Sequence, residues 1–167
     1  MSRVWFTSDL HLGHKGVCRF REKFNSDEEH HNTLYESLVT SVGKRDILYL
    51  LGDIAFSKEW LDKIGEIKCQ KKILVMGNHD QQKGYDVTIQ DIVNTYDSVL
   101  SLVTYKGYWI THCPIHPDEI RNRKGVIAGH THFYNINDPR YFNVCPENTN
   151  WRPILFSEIV ERMNSEG

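Results

Sequence analysis

Short, almost unbroken runs of hydrophobic residues recur through the first half of the chain, with polar segments between them. Such runs are typical of strands that are buried on both faces of a sheet. We therefore predict strands over residues 3–7, 46–51 and 72–76.

Two amphipathic segments separate these strands. Segment 26–43 carries apolar residues at helical spacing, with Ser26 or Asp27 as its N-cap and Gly43 as its stop. Segment 57–67 has an apolar face of the same kind and predicts a second helix. The resulting order of strand, helix, strand, helix, strand indicates an α/β domain with parallel pairing at its centre.

The second half of the chain has more strands and fewer helices. Residues 98–105 and 108–111 flank a Lys106-Gly107 turn and predict a hairpin, and 157–163 predicts a closing helix. Further short strands are predicted over 125–128, 141–144 and 154–156. These are more strands than one small sheet needs, which indicates two packed sheets with helices outside and leaves the strand order open.

Length and composition fit an ordinary globular protein. The 167 residues suit one domain over residues 1–167, and 40% of them are hydrophobic. The formal net charge of −2 gives no general attraction to nucleic acid or to an anionic membrane. Binding of a polyanion would therefore need a local basic patch or bound metal.

The chain shows no sign of a targeting segment. Its first residues lack a long apolar run, and no apolar stretch approaches the length of a membrane span. The four cysteines are far apart and form no C-x-x-C pair, so we expect free thiols in a reducing cytoplasm. Cys113 and Cys145 are expected to be packed side chains and not nucleophiles.

Polar side chains follow five of the predicted strands, at the point where each strand ends. They are Asp9, His11, Asp53, Asn78, His79, Asp80, His112, His130 and His132. Ligands of α/β sheets bind just outside the carboxyl ends of the strands, so these side chains are expected to converge. One such motif alone would fit a strand-end turn, but five in the same position favour a shared site.

The side-chain types favour a site for divalent metal. Carboxylate, imidazole and amide oxygen together suit Mn, Fe, Zn or Ni, whereas calcium prefers oxygen ligands alone. Three of the five motifs also place a glycine directly before the polar residue, which lets the backbone approach an ion or a substrate closely.

The ordered set of motifs resembles that of the calcineurin-like metallophosphoesterase family from residue 3 to about residue 132. The motifs are Asp9-x-His11, Gly52-Asp53, Gly77-Asn78-His79-Asp80, His112 and Gly129-His130-x-His132. The resemblance implies a four-layer α/β sandwich of two facing mixed β-sheets flanked by helices. It also implies two divalent metal ions, with Mn²⁺ favoured and Fe, Ni or Zn as alternatives.

The resemblance assigns a ligand to each ion position by position. The first metal falls on Asp9, His11, Asp53 and His132, and the second falls on Asp53, Asn78, His112 and His130. Asp53 bridges the two ions, which in such sites lie about 3.5–4 Å apart and activate a bridging hydroxide for attack on phosphorus.

Two further residues receive catalytic roles from the same resemblance. His79 is expected to donate a proton to the leaving oxygen, and Asp80 is expected to orient and charge that imidazole. The alternative is that His79 is only a turn residue. Ligands on the neighbouring turns favour the catalytic interpretation.

Other histidines have weaker signals. His14 follows the first motif and either contacts the site or substrate or belongs to a nearby loop, and the sequence favours neither. His30 and His31 lie at the acidic start of a predicted helix and are expected to be solvated. His116 lies between two prolines and is expected to be a loop residue.

A small basic cluster, Arg121, Arg123 and Lys124, lies in the segment between His112 and His130. Its position suggests the mouth of the site, where it would hold a second phosphate or a nucleic-acid backbone. Charge clusters in loops are more often merely solvated, and that alternative is favoured.

The predicted function is hydrolysis of a phosphoester, with a diester favoured over a monoester because a short chain without an inserted cap leaves the site open. Candidate substrates are cyclic nucleotides, cyclic phosphates on RNA ends and small nucleotide diesters. The alternatives are a phosphomonoesterase for small metabolites and a non-catalytic metal-binding scaffold. The complete set of site residues disfavours the scaffold. The natural substrate, the physiological metal and the oligomeric state are left open.

Overall fold

The computed structural model describes residues 2–165, which form two β-sheets and four α-helices. The strands are β1 (Val4–Thr7), β2 (Ile47–Leu50), β3 (Lys71–Val75), β4 (Ser98–Leu100), β5 (Leu102–Tyr105), β6 (Tyr108–Thr111), β7 (Gly125–Ala128), β8 (Tyr141–Asn143) and β9 (Ile154–Leu155). The helices are α1 (Asp27–Ser41), α2 (Lys58–Glu66), α3 (Ile89–Thr95) and α4 (Phe156–Ser165).

Both sheets are mixed. The first has the order β4-β3-β2-β1-β9, in which β9 alone is antiparallel to its neighbour. The second has the order β5-β6-β7-β8, with β5 antiparallel to β6 and the other pairs parallel. The predicted parallel pairing of the first three strands is therefore confirmed.

Helix boundaries follow from local capping. The Ser26 side chain accepts a hydrogen bond from the Glu29 backbone N–H at 3.0 Å, which begins α1 at the predicted place. Thr88 begins α3 through a capping box, yet the sequence did not predict this helix, because only Ile92 along it is buried. Within residues 2–165, no helix is both long and apolar enough to span a membrane.

The predicted strand 98–105 is wrong in one respect, because the chain changes sheets within it. β4 pairs with β3 in the first sheet, and β5 pairs with β6 in the second sheet across the Lys106-Gly107 turn. The hairpin is confirmed for β5 and β6 only. Only Ser101 separates the two halves, Val99-Leu100 and Leu102-Val103, and both halves suit a strand, so no strong turn signal marks the change of sheet.

The three central strands of the first sheet, β1 to β3, bury side chains on both faces. In β1, Phe6 faces the second sheet and packs with Ile110 and Ile127, whereas Trp5 faces helices α1 to α3. The outer face of the second sheet is covered by the segment that contains Ile120. These features confirm the predicted α/β sandwich of two facing mixed sheets flanked by helices.

A buried carboxylate fixes the end of this sandwich that lies opposite the polar motifs. Asp46 accepts hydrogen bonds from the backbone N–H of Arg3 at 3.0 Å, from Trp5 Nε1 at 3.0 Å and from the Gly43 N–H at 2.9 Å. Burial raises the pKa of Asp46, but these donors and the Arg3 guanidinium outweigh it and hold the pKa well below its usual range.

We expect Asp46→Ala to lower the free energy of unfolding by about 2–4 kcal/mol at pH 7, because several buried donors lose a charged acceptor at once. Urea denaturation followed by circular dichroism measures this loss. The matched control is Asp62→Ala, which removes an exposed carboxylate paired with Lys58 at 2.8 Å. That variant should lose less than about 0.5 kcal/mol. Equal losses in the two variants would contradict the role given to Asp46.

Candidate metal centre

The side chains predicted to bind metal all lie in the loops that follow the carboxyl ends of β1, β2, β3, β6 and β7. Backbone hydrogen bonds hold these loops against one another. Asp9 N–H donates to Gly52 O at 2.9 Å, and His11 N–H donates to Asp53 O at 3.0 Å. In the second sheet, Gly129 N–H donates to His112 O at 2.9 Å.

Five of the seven predicted ligands adopt a left-handed backbone conformation. Their φ angles are 48° at Asp9, 50° at His11, 56° at Asp53, 71° at His130 and 50° at His132. Non-glycine residues rarely adopt this conformation, and each instance costs on the order of 1–3 kcal/mol. The sharp bends turn the side chains from the strand direction toward a common point.

Two glycines make room for the buried carboxylates. A Cβ atom at Gly77 would collide with the Asp53 side chain, and one at Gly129 would collide with Asp9 Oδ2. The glycines that precede Asn78 and His130 are thus needed for close approach of backbone to side chain.

Asp9 is fully buried and bonds only through one oxygen. Its Oδ2 accepts from His130 N–H at 2.8 Å and from Cys145 Sγ at 3.2 Å. Its Oδ1 has no hydrogen-bond partner among residues 2–165, and it lies 3.8 Å from His11 Nε2 and 3.7 Å from His132 Nε2. His11 Nε2 is also buried without a partner in the described chain.

This arrangement fits a cation. A buried charged oxygen without a donor is costly unless an ion occupies the space in front of it. Burial raises the pKa of Asp9, but the nearby His11 imidazole, the charge of His112 and the hydrogen bond from the His130 N–H outweigh it. The pKa of Asp9 is therefore well below its usual range, and the carboxylate stays ionised as a metal ligand must.

A second set of candidate metal-ligand atoms surrounds His112 Nε2. Asn78 Oδ1 lies 2.9 Å from this atom, His130 Nδ1 lies 3.2 Å from it, and Asp53 Oδ2 lies 3.4 Å from it. Atoms that bind one divalent ion at about 2.0–2.2 Å stand roughly 3–3.5 Å apart, so these spacings fit a shared ion. His112 Nδ1 lies 2.7 Å from Leu51 O, and donation there leaves Nε2 free to bind metal.

Asp53 lies between the two sets. One oxygen each from Asp9 and Asp53 and a ring nitrogen of His112 all lie within 4.8 Å of one another. Asp53 Oδ1 also accepts from His79 N–H at 2.8 Å, which fixes the carboxylate. This placement is the one that a bridging ligand requires.

The metal-free site keeps a proton on His112. Burial lowers the pKa of His112, but the hydrogen bond to Asp53 and the charges of Asp9 and Asp53 raise it to about 9. A metal ion that binds Nε2 has to displace this proton. The imidazolium thus offsets part of the carboxylate charge that a cation would neutralise.

The role expected for Asp80 has to be corrected. Its Oδ2 accepts from the backbone N–H of Gly77 at 2.7 Å and of Asp53 at 3.0 Å, and its Oδ1 accepts from Ile54 N–H at 3.1 Å. The carboxylate lies beneath the two loops, where burial raises its pKa. Asp80 therefore joins the second and third motifs, and His79 Nδ1 contacts Gln82 Oε1 instead.

Sequence reasoning missed a buried ion pair behind the site. Glu147 Oε1 lies 3.1 Å from His132 Nδ1 and 2.8 Å from Arg21 Nε, and Arg21 also donates to the Asp9 backbone O at 2.6 Å. The hydrogen bond that His132 donates to Glu147 is the main cause that raises the pKa of His132. Glu147 fixes the ring so that Nε2 faces Asp9. Neither residue belongs to a motif, and only the fold brings them together.

His30 and His31 were expected to be solvated, and that expectation is wrong. They are 0% and 6% exposed, because the first turn of α1 packs over the loop after β1. His30 Nε2 lies 2.8 Å from Arg21 NH1, and His31 Nε2 accepts from Gly13 N–H at 3.2 Å. Burial lowers the pKa of His31 to about 4, so this ring is neutral at pH 7.

The basic cluster does not reach the site. Lys124 precedes the amino end of β7, whereas His130 follows its carboxyl end. Arg123 lies over the Trp109 ring at 5.2 Å, and Arg121 pairs with Glu119 at 2.9 Å. The interpretation favoured from the sequence, a solvated charge cluster, agrees with this placement, whereas the alternative of a phosphate clamp at the mouth of the site does not.

The two remaining histidines differ in position. His14 lies beside the site, where its ring centroid is 5.9 Å from that of His11 and its buried Nδ1 has no partner within residues 2–165. His116 is exposed and caps a short 3-10 turn, as expected of a loop residue.

The Cys145 thiol lies close to Asp9 and His132. Burial raises its pKa far above the usual range, and the charge of Asp9 adds to that effect. The thiol donates to Asp9 Oδ2 and so braces the carboxylate.

Comparison with known proteins gives a family match. The sequence profile described as calcineurin-like phosphoesterase matches residues 2–134 of the chain. The crystal structure of the protein AQ665 of unknown function from Aquifex aeolicus superposes with a TM-score of 0.74 at 23% identity, covering 96% of this chain and 99% of its own. That likeness shows a shared fold.

Three curated relatives are similar in sequence. The Gene 66 protein of Mycobacterium phage L5 is 36% identical over 108 residues, which are 62% of this chain and 52% of that protein. The phage D29 counterpart is 41% identical over 85 residues, or 48% and 42%. The uncharacterized protein MJ1445 of Methanocaldococcus jannaschii is 24% identical over 174 residues, or 96% and 91%. The chain spans about half the length of the phage relatives it matches.

The Glu147–His132 contact leads to a prediction about metal affinity. Glu147→Gln keeps the shape of the side chain but removes the charge that orients and polarises His132. We expect Mn²⁺ affinity to fall about 10- to 100-fold, the usual effect of removing such an outer partner. Isothermal titration calorimetry of the metal-free variant measures it.

The control is Glu119→Gln, which removes an exposed carboxylate that pairs only with Arg121 in the described structure. Its Mn²⁺ affinity should equal that of the unmodified protein. Unchanged affinity in Glu147→Gln, with a normal thermal melt, would show that His132 does not need this partner.

Proposed function

The chain belongs to the calcineurin-like phosphoesterase family, and from that premise we propose that it is a dinuclear metal-dependent phosphodiesterase acting on a nucleotide or a cyclic phosphate. Family membership supports metal-dependent hydrolysis of phosphoesters. The preference for diesters, the nucleotide substrate and the pair of ions are our own inference. One observation supports this proposal above all. Two sets of candidate metal-ligand atoms, one with buried unpaired atoms and one with closely spaced atoms, meet at Asp9 and Asp53.

The residues present fit two divalent ions. The first would be held by Asp9, His11, Asp53 and His132, and the second by Asp53, Asn78, His112 and His130. Two such ions supply Lewis acidity toward a phosphoryl oxygen and lower the pKa of bound water. The donors are oxygen and imidazole nitrogen without thiolate, which suits Mn²⁺ first and Fe, Ni or Zn as alternatives.

The charge balance of the site favours an anionic substrate. Its seven proposed ligands include only two carboxylates, Asp9 and Asp53, so two divalent ions would leave a net positive charge. The proton now on His112 would be displaced, which leaves that imidazole neutral. A phosphoester would therefore be attracted to and held at the site.

His79 is the proposed proton donor to the leaving oxygen. Its backbone N–H is fixed by Asp53 Oδ1 at 2.8 Å, and its Nδ1 contacts Gln82 Oε1. Nε2 is then the atom left to deliver a proton. The ring centroid lies 6.1 Å from that of His11, so the imidazole stands beside the proposed first ion without belonging to its ligands.

The shape of the site supports a diester. Asn78 and His130 are exposed, and His79 is half-buried, whereas Asp9, Asp53 and His112 form the buried floor. The exposed side chains of Asn78 and His130 leave the rim of this floor open to solvent. A substrate that continues in two directions from phosphorus therefore fits, as in a nucleotide diester or at a nucleic-acid end.

A cytoplasmic location is proposed on the state of the cysteines. All four are free thiols, and Cys145 uses its proton to bond Asp9. Such thiols persist where the surroundings are reducing.

A substrate screen tests the proposal. With Mn²⁺, purified protein should hydrolyse bis-p-nitrophenyl phosphate at least about tenfold faster, in kcat/KM, than p-nitrophenyl phosphate, because an open floor accepts both ester groups. Release of p-nitrophenolate measures both reactions. Asp53→Asn should abolish them and reduce the number of Mn²⁺ ions bound per chain.

Faster hydrolysis of the monoester would replace the proposal with a phosphomonoesterase. No hydrolysis of either ester with Mn²⁺, Fe²⁺, Ni²⁺ or Zn²⁺ would favour a non-catalytic metal-binding scaffold.

The role of His79 gives a separate prediction. His79→Asn should reduce turnover of diesters with alkoxide leaving groups about 100-fold or more, the usual loss for a general acid. Turnover of p-nitrophenyl diesters should fall far less, since p-nitrophenolate leaves without protonation. Mn²⁺ binding by calorimetry should not change. His116→Asn, at an exposed histidine, is the matched control, and equal losses on both leaving groups would remove His79 as proton donor.

A further inference from the structure

A cavity of about 380 Å³ opens beside the proposed first metal. His11 and His132 form the wall that it shares with the metal centre, and His14, Val17, Phe20 and Phe133 form much of the rest. A volume of this size lies within the range of small-molecule sites, about 300–1,000 Å³. Any group that fills this cavity would therefore touch the same histidines as the phosphoryl group.

Two phenyl rings in this cavity are left open to solvent. Phe20 is 71% exposed and Phe133 is 64% exposed, which is unusual for large apolar side chains placed together at a concave site. Their backbone positions are fixed, because each is next in sequence to a side chain anchored at the metal centre. Phe133 follows His132 directly, and Phe20 precedes Arg21, which is 2% exposed and donates to the Asp9 backbone.

The accessible lining of this cavity is mostly apolar. The charged side chains in its lining, Arg21 and Glu147, are buried and bond each other at 2.8 Å. Arg21 is held by Glu147 Oε1 and by the Asp9 backbone O, and the second carboxylate oxygen, Glu147 Oε2, is buried without a hydrogen-bond partner within residues 2–165. A second phosphate would therefore find no cation here, whereas a flat uncharged ring would find two aromatic faces.

We infer that this cavity binds the nucleobase of the substrate while its phosphoryl group lies at the metal centre. The inference rests on the proposed function and names the group that the site selects. Aromatic side chains stack with bases without a strict sequence preference, because every base has a π-face. Phe20 and Phe133 are thus specificity-determining residues for a planar ring, and not for the phosphate itself.

The test compares two ligands that differ only in the base. They are the phosphonate analogues of adenosine 5′-monophosphate and of ribose 5-phosphate, in which carbon replaces the ester oxygen so that neither can be hydrolysed. Calorimetry with Mn²⁺-loaded protein should show that the adenosine analogue binds about 5- to 100-fold more tightly, the range expected for base stacking.

Variants then show whether the two phenyl rings cause the preference for the adenosine analogue. The double variant Phe20→Leu/Phe133→Leu keeps an apolar wall but removes both rings, so the ratio of the two dissociation constants should fall to about twofold or less. The ribose analogue should bind as before. Tyr134→Leu is the matched control, because Tyr134 is 69% exposed and adjacent to Phe133 but does not line this cavity.

Equal binding of the two analogues by the unmodified protein would overturn the inference, as would a ratio that survives in the double variant. The inference would also be overturned if alkyl phosphonates bound more tightly to the double leucine variant than to the unmodified protein, because that result would indicate a lipid-like occupant. Failure of the proposed function has a different signature, namely no hydrolysis of p-nitrophenyl esters with any of the metals, and calorimetry still reports on the cavity in that case.

Discussion

The buried carboxylate of Asp9 is the interaction on which the site depends. One oxygen accepts from the His130 backbone and the Cys145 thiol, which both belong to segments near the second sheet, and so links the two sheets at their shared edge. The other oxygen has no partner in the described chain and faces His11 and His132. A folded chain tolerates such an oxygen only where something else is to bind it, because an unpaired buried charge is costly. The unpaired oxygen of Asp9 is therefore the feature of the fold that fits a bound cation.

Backbone geometry shows how the loops meet this requirement. Five of the proposed ligands have positive φ angles, and a cost on the order of 1–3 kcal/mol for each would be a large fraction of the stability of a domain. The double-sided cores of the first sheet offset it, and Asp80 holds the second and third motifs together through three backbone N–H groups. The family profile covers the motifs that carry this strained geometry.

The proposed metal centre and the proposed base-binding cavity lie side by side at the same end of the sheets. The carboxylates and imidazoles of the motifs form the proposed site for phosphate, and they lie within the region that the family profile matches. The Arg21–Glu147 pair orients one proposed ligand, His132, and also lies in the wall of the neighbouring cavity. Phe20 and Phe133 then leave two rings exposed where the organic part of a substrate would lie. A single buried ion pair thus serves both the metal centre and the adjacent apolar surface.

The sequence by itself determined the layered fold, most element boundaries and the convergence of the polar motifs. These follow from local rules: hydrophobic period, capping by Ser26 and Ser57, and the position of Asp, Asn and His at strand ends. The tertiary structure alone decided the sheet change between β4 and β5, the burial of His30 and His31, the backbone-bracing role of Asp80, and the pairing of Arg21 with Glu147. Each of these depends on contacts between segments far apart in the chain or on the direction of one side chain in a turn. Neither leaves a periodic signal, because the energy that selects them comes from burial and pairing in three dimensions and not from local propensity.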